Sequence, residues 1–195
     1  TKPCMVKRKK TAHQKRKRQK ARRRKNTGKS SQNINAILPV FMQGGIFAGW
    51  RGKVSIERVR EYFKEKGIED RIQEFEISSA TVALAAKALN CDESRIAKTL
   101  SFHVKEKVVL VVTAGDAKIN NAKYKAQFGT KAKMLAADEA EQLTGHAVGG
   151  VCPFAVNPGV EVYLDISLKR FKTVFPACGS ANSAIELSLE ELEEY

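Results

Sequence analysis

The chain has 195 residues, with 35 Lys+Arg against 21 Asp+Glu and a formal net charge of +14. That is length enough for one domain with a substantial core, and no run approaches the roughly 20 apolar residues of a membrane helix. The charge is unevenly placed. Residues 1–53 carry 17 of the Lys+Arg and no carboxylate, which leaves 18 basic against 21 acidic side chains in residues 54–195. The basic character belongs to an extension, and the domain after it is mildly acidic.

The extension opens with the low-complexity block "VKRKKTAHQKRKRQKARRRKN". Like charges at this density repel and almost nothing apolar is available to bury, so disorder in isolation is the expectation. Three readings are open. The block is a phosphate-binding arm that gains affinity by counterion release, a solvated tail, or not native sequence. The third follows from "VSIERVREYF", which starts like a bacterial coding sequence with Val54 as an internally read GTG start codon. "INAILPVFMQGGIFAGW" is the most apolar N-terminal stretch, but Pro39 and two glycines interrupt it. The basic region is too long for a signal peptide, and no clear cleavage site follows.

Past Val54, Ser55 is placed to cap a helix "SIERVREYFKEKG", with Ile56, Val59 and Phe63 at helical spacing and Gly67 closing it. "RIQEFEI" alternates as a strand with Phe75 and Ile77 on one face. "SATVALAAKALN" is a second amphipathic helix, stopped by Asn90, after which Asp92 caps a turn into the strand "RIAKTLSFHV". In that strand Ile96, Leu100, Phe102 and Val104 alternate on one face, and Lys98 falls on the same face. "KVVLVVTAG" is a continuous apolar strand covered on both faces. A helix "NNAKYKAQFG", a strand "KAKMLA" and a helix "ADEAEQLTG" follow, then strands "VEVYLDISL", "KTVFPACGS" and "SAIELS" and a terminal helix "LEELEEY". Interleaved helices and strands give an α/β or α+β class, with one mixed sheet flanked by helices.

Chemistry has few places to sit. "TGHAVGGVCPF", residues 144–154, packs three glycines and a proline into one loop, and "PACGSANSAIEL" offers a second small-residue turn from Cys178 to Ser183. Such loops let backbone approach a ligand closely, and each is equally a plain tight turn. Cys152 with His103 or His146 has the residue types of a thiol nucleophile and its base; against this stands a small packing cysteine. The cysteines Cys4, Cys91, Cys152 and Cys178 form no C-x-x-C pair, which argues against zinc and suits a reducing cytoplasm. Lys98 is either a lysine snorkelling to solvent or a cation facing a cleft, where it binds phosphate or steadies an oxyanion.

"RIAKTLSF", "AGD", "LTGHAVGGVCPF", "YLD" and "ACGS…AIEL" occur in an order and spacing that resembles the YbaK/prolyl-tRNA-synthetase-associated editing domains, over residues 54–195. The resemblance implies a single YbaK-like domain that deacylates mischarged aminoacyl-tRNA (Ala-, Ser- or Cys-tRNA of the proline tRNA) without metal or cofactor. Its partners would be mischarged tRNA and prolyl-tRNA synthetase, with no membrane involved. Lys98 matches the lysine on which deacylase activity depends. Gly149, Gly150 and Pro153 match a Gly-Gly-x-x-Pro loop lining the substrate pocket. Gly179, with Ser180 beside it, matches the loop on the other wall. Gly115, Asp116 and Asp165 match as structural positions. Where members that cleave cysteinyl-tRNA carry Asp before "IEL", this chain has Ala184, with Asn182 and Ser183 as candidates to take over its role. The implied mechanism is attack by water, or by the substrate's own side chain. Lys98 and backbone N–H groups would orient the terminal adenosine and stabilise the oxyanion, and a small pocket would act as a second sieve. Lys98 would then point into a cleft between the two glycine loops. Two rival readings are a non-catalytic RNA-binding protein working through the basic extension and a Cys152 thiol hydrolase.

Overall fold

The computed structural model describes residues 37–40 and 55–195. The expected disorder of the basic block therefore lies outside the described residues.

Helix α1 (Ser55–Glu65) turns Val59 and Phe63 inward, both fully buried, and carries Lys64 in its last turn, where the helix dipole favours a cation. The expected strand over 71–77 is not formed as such. Glu69–Arg71 is a 3-10 turn, only Gln73–Glu74 (β2) pairs, and Ile77 is 52% exposed. The alternation in "RIQEFEI" is real, but Phe75, Ser78 and Ser79 are claimed by loop contacts to residues 181 and 182 rather than by a sheet. Helix α2 (Val82–Leu89) starts at Thr81, whose hydroxyl accepts the Leu84 N–H, and stops where Asn90 turns left-handed.

The centre of the fold is the antiparallel pair β3 (Ile96–Val104) and β4 (Lys107–Ala114). Every residue from Val109 to Ala114 is buried, because both faces of β4 are covered, as its unbroken apolar run predicts. Leu110, Val112 and Ala114 pack with Val59, Phe63 and Phe154, while Val109 and Val111 pack with Phe102 and Tyr124 on the other face. Helix α3 (Asn121–Phe128), capped by Asn120, supplies Tyr124 and Phe128 to that second face. Only Lys133–Met134 (β5) of the expected strand 131–136 pairs, against the C-terminal half of β3. Helix α4 (Ala137–Thr144) then leads into the first glycine loop.

β6 (Glu161–Asp165) runs parallel to β4. The expected strand 160–168 ends early because the Asp165 carboxylate accepts the Ser167 N–H and starts a 3-10 turn over Ile166–Arg170. β7 (Thr173–Pro176) lies parallel to the N-terminal end of β3. The last expected strand is split in two. β8 (Ser183–Ala184) pairs β2, while β9 (Leu187–Ser188) pairs β7 before helix α5 (Leu189–Glu194) closes the described chain. β1 (Ile37–Val40) adds antiparallel to β6 at the outer edge, from a stretch ahead of Val54. Pro39 within β1 is compatible with an edge strand, which needs only one side of its ladder. The result is a mixed seven-stranded sheet, ordered β1-β6-β4-β3-β7-β9 with β5 also on β3, and five helices among the described residues.

Candidate functional site

Lys98 sits on β3 opposite Thr113 of β4. On its face of the strand, Ile96 belongs to one small apolar cluster with Ala85, Ala86 and Phe175, and Phe102 to another with Val109, Val111 and Tyr124. Lys98 occupies the break between them and stays half-buried. Its ammonium donates to the Gly115 carbonyl at 2.9 Å and the Ala117 carbonyl at 2.5 Å. An ammonium has three N–H donors, and two of them have acceptors among the described residues. Burial lowers its pKa from the ordinary lysine value, Asp116 opposes that shift, and Lys118 adds to it.

The loop that offers those carbonyls is itself held. The Asp116 carboxylate is gripped by both terminal nitrogens of Arg170, one at 2.9 Å, which depresses the Asp116 pKa. At Gly115 the chain passes so close to Glu93 that a Cβ would lie 1.9 Å from its carbonyl oxygen and 2.8 Å from Val82 Cγ1. The lysine is thereby aimed by a fixed piece of backbone. Sequence reading singled out Lys98 and took Asp116 as structural; it missed Arg170, 54 residues away, for which no local pattern signals the pairing.

The two glycine loops do meet. A Cβ on Gly150 would lie 2.7 Å from both Gly179 C and Ser180 N, and Gly179, at φ +84°, passes 2.7 Å from the Ser55 carbonyl by the same construction. Gly149 faces Ala80 and Ala181. Gly150 and Gly179 are needed because backbone lies on backbone there, and Gly149 because its φ is +94°. The Gly150 N–H is taken by the Ala147 carbonyl at 3.0 Å. Within the second loop, Ser180 Oγ lies 2.9 Å from Asn182 Oδ1 and 2.7 Å from Ser183 Oγ, and Asn182 Nδ2 donates to the Phe75 carbonyl. The polar groups of Asn182 and Ser183 are thus engaged, within the loop and on the Phe75 carbonyl, while Ala184 is buried in β8. Pro153 is buried. The hydrogen bonds of Lys98 go to the 115–117 loop and not to either glycine loop. Segment 80–82 links the two areas, with Ala80 against Gly149 and Val82 against Gly115.

Behind the first glycine loop lies a sealed polar cluster. His146 is fully buried, with Nδ1 2.5 Å from Ser55 Oγ and Nε2 2.7 Å from the Phe154 carbonyl. Those partners fix the tautomer: Nε2–H donates to the carbonyl and Nδ1 accepts from the serine. Burial pushes its pKa down to about 4. Cys152 Sγ lies 3.6 Å from Nε2, also fully buried, with its thiol pushed up to about 12. The Cys–His proximity considered from sequence exists with His146, but the thiol stays protonated and out of reach of solvent. That removes the thiolate a nucleophile requires. His103 is elsewhere, paired with Glu139. Arg58 on α1 ties the loop down, donating to the Ala155 carbonyl at 2.9 Å and Asn157 Oδ1 at 3.0 Å. The only sequence signal for Arg58 is its position three residues after Ser55, on the same side of the helix. The three described cysteines are free thiols, and no helix among the described residues is long and apolar enough to cross a membrane.

A family model described as "Aminoacyl-tRNA editing domain" matches residues 78–195. A Bacillus subtilis (strain 168) protein, YwhH, named as uncharacterized, is 54% identical over 143 residues, covering 73% of this chain and 91% of that protein. A Bacillus cereus (strain AH820) proline–tRNA ligase is 30% identical over 95 residues, covering 48% of this chain and 16% of that enzyme. A solved structure described as a candidate trans-editing enzyme for prolyl tRNA synthetase superposes with a TM-score of 0.66 at 26% identity, covering 72% of this chain and 90% of that one.

Proposed function

The chain belongs to the aminoacyl-tRNA editing domain family, and from that premise we propose that it is a deacylase acting in trans on mischarged tRNA of the proline type, with alanine, serine or cysteine as the misplaced residue. The reaction is hydrolysis of the ester between the aminoacyl carbonyl and the ribose of the terminal adenosine. Water adds to the carbonyl, the tetrahedral oxyanion collapses, the carbon–oxygen bond to the ribose breaks, and free amino acid and tRNA leave.

The observation that carries this reading is the half-buried Lys98 ammonium, pinned by two backbone carbonyls. A donor held in place before the reaction needs no reorganisation when negative charge appears, and one such donor accounts for about 3 kcal/mol, a hundredfold or more in rate. Gly149, Gly150, Pro153 and Gly179 serve here as pocket wall. Their packing sets its size, which lets it admit a small side chain and turn away a larger one. The proline assignment draws on the proline–tRNA ligase match and on the description of the superposed structure, and prolyl-tRNA synthetase is the partner it names.

The test is hydrolysis of Ala-, Ser-, Cys- and Pro-tRNA(Pro) by the full chain. Cleavage of at least one of the first three well above the spontaneous rate, with Pro-tRNA(Pro) spared, is expected. No cleavage of any would refute the deacylase reading.

A further inference from the structure

Residues 54–195 are mildly acidic, but the charge within them is segregated. Residues 117–132 contain Lys118, Lys123, Lys125 and Lys131 and no carboxylate, and the rest of 54–195 carries 14 basic against 21 acidic side chains. None of these four lysines takes part in an ion pair among the described residues. Lys118, Lys125 and Lys131 are exposed and Lys123 is partly so. Lys133, just beyond, lies near Glu139, whose pKa it helps to lower.

The placement of this segment matters more than its charge. It begins at Ala117, whose carbonyl receives Lys98, so Lys118 is the next residue outward from the candidate catalytic amine. Helix α3 then lies on the sheet face that carries Lys98. The Tyr124 ring packs 5.0 Å from that of Phe102, and Phe128 stands edge-on to Tyr163 at 5.1 Å. With Tyr124 pointing into the sheet, Lys123 and Lys125 flank it on either side at the exposed margins of the helix. Eight residues of helix span about 12 Å. At one phosphate per 3.4 Å of strand, that is about three or four nucleotides.

We propose that Lys118, Lys123, Lys125 and Lys131 form a track for the phosphodiester backbone of RNA, leading the 3′ strand of the substrate away from Lys98 across α3. The proposal rests on the deacylase reading for the direction of the strand. It adds where the polyanion lies on a domain whose remaining surface repels it. The contacts are to phosphates, so the track positions the strand without reading its sequence.

The experiment compares the full chain with Lys123→Gln/Lys125→Gln/Lys131→Gln, and with Lys64→Gln/Lys87→Gln/Lys169→Gln as a control at three exposed lysines outside the segment. Binding of uncharged tRNA(Pro) is measured as a function of salt, beside KM and kcat for Ala-, Ser- and Cys-tRNA(Pro) and hydrolysis of 3′-alanyl-adenosine. The track variant is expected to lose about 2 from the slope of log affinity against log salt. Its KM should rise about tenfold, with kcat and hydrolysis of the adenosine ester unchanged, while the control variant stays near the parent. An unchanged slope, or an equal fall in both triple variants, would overturn the track. Failure of the parent to hydrolyse any ester would refute the deacylase reading alone, since the binding slope decides the track by itself.

Discussion

Lys98 and the His146–Cys152 cluster invert what their residue types advertise. A histidine within 3.6 Å of a cysteine has the composition of a nucleophilic pair, yet both side chains are fully buried and their protons are held in the unreactive places. A lysine in an apolar strand has the look of a misplaced residue, yet it is half-exposed and held by two carbonyls. Reactivity follows from access and from which protonation state the surroundings favour. The buried cluster does mechanical work, tying the first glycine loop to α1 and to the Phe154 carbonyl.

That contrast breaks first at His146. His146→Ala removes a fully buried side chain and leaves the Phe154 carbonyl and the Ser55 hydroxyl without their partner, a cost of about 3–5 kcal/mol. Denaturant unfolding should register a loss of that size. A loss under 1 kcal/mol would mean the cluster does not brace the loop.

The same residue makes stability depend on pH. The folded chain holds His146 at about 4 against 6.5 for the ordinary side chain, so between those values the unfolded chain takes up a proton that the folded one refuses. Stability present above pH 6.5 should fall by about 3 kcal/mol as pH drops through that window. Unfolding measured at pH 7 and pH 4 in parent and His146→Gln checks this. The account fails here if the two proteins show the same slope.

Cys152→Ala should cost only about 1–2 kcal/mol of stability, for the small cavity it leaves, and should leave deacylation within about twofold of the parent. A hundredfold loss of activity would restore the thiol reading. Asp116→Asn gives the finest test. Asp116 holds the Lys98 pKa up against burial, so its removal should move the alkaline fall of the Lys98-dependent rate to lower pH. A pH–rate profile identical to that of the parent would show that the 115–117 loop does not tune the amine.

Much of this was legible in the sequence where a period was sustained. The five helices, three of them with their ends at Asn90, Gly129 and Gly145, the doubly buried β4, and Lys98 on the face of Ile96 and Phe102 all follow from spacing. The short segments were not legible. "RIQEFEI" and "SAIELS" alternate as strands do, but two-residue pairings are decided by whichever loop lies opposite, and Ser183–Ala184 and Leu187–Ser188 went to different partners. The glycine loops were visible as loops, whereas their mutual contact at Gly150 and Gly179 is a tertiary fact, as is the Asp116–Arg170 clamp. Burial is what a sequence hides best, and burial separates Cys152 from Lys98.

Single-turnover hydrolysis of Ala-, Ser- and Cys-tRNA(Pro) by the parent and by Lys98→Ala, with a thermal melt of each, tests the central claim most directly. The account predicts a fall of about a hundredfold or more in Lys98→Ala, on whichever ester the parent cleaves, with the melting temperature nearly unchanged because a half-exposed amine leaves no large core cavity. Parental rates in Lys98→Ala would contradict it and reduce the lysine to a side chain on its way to solvent.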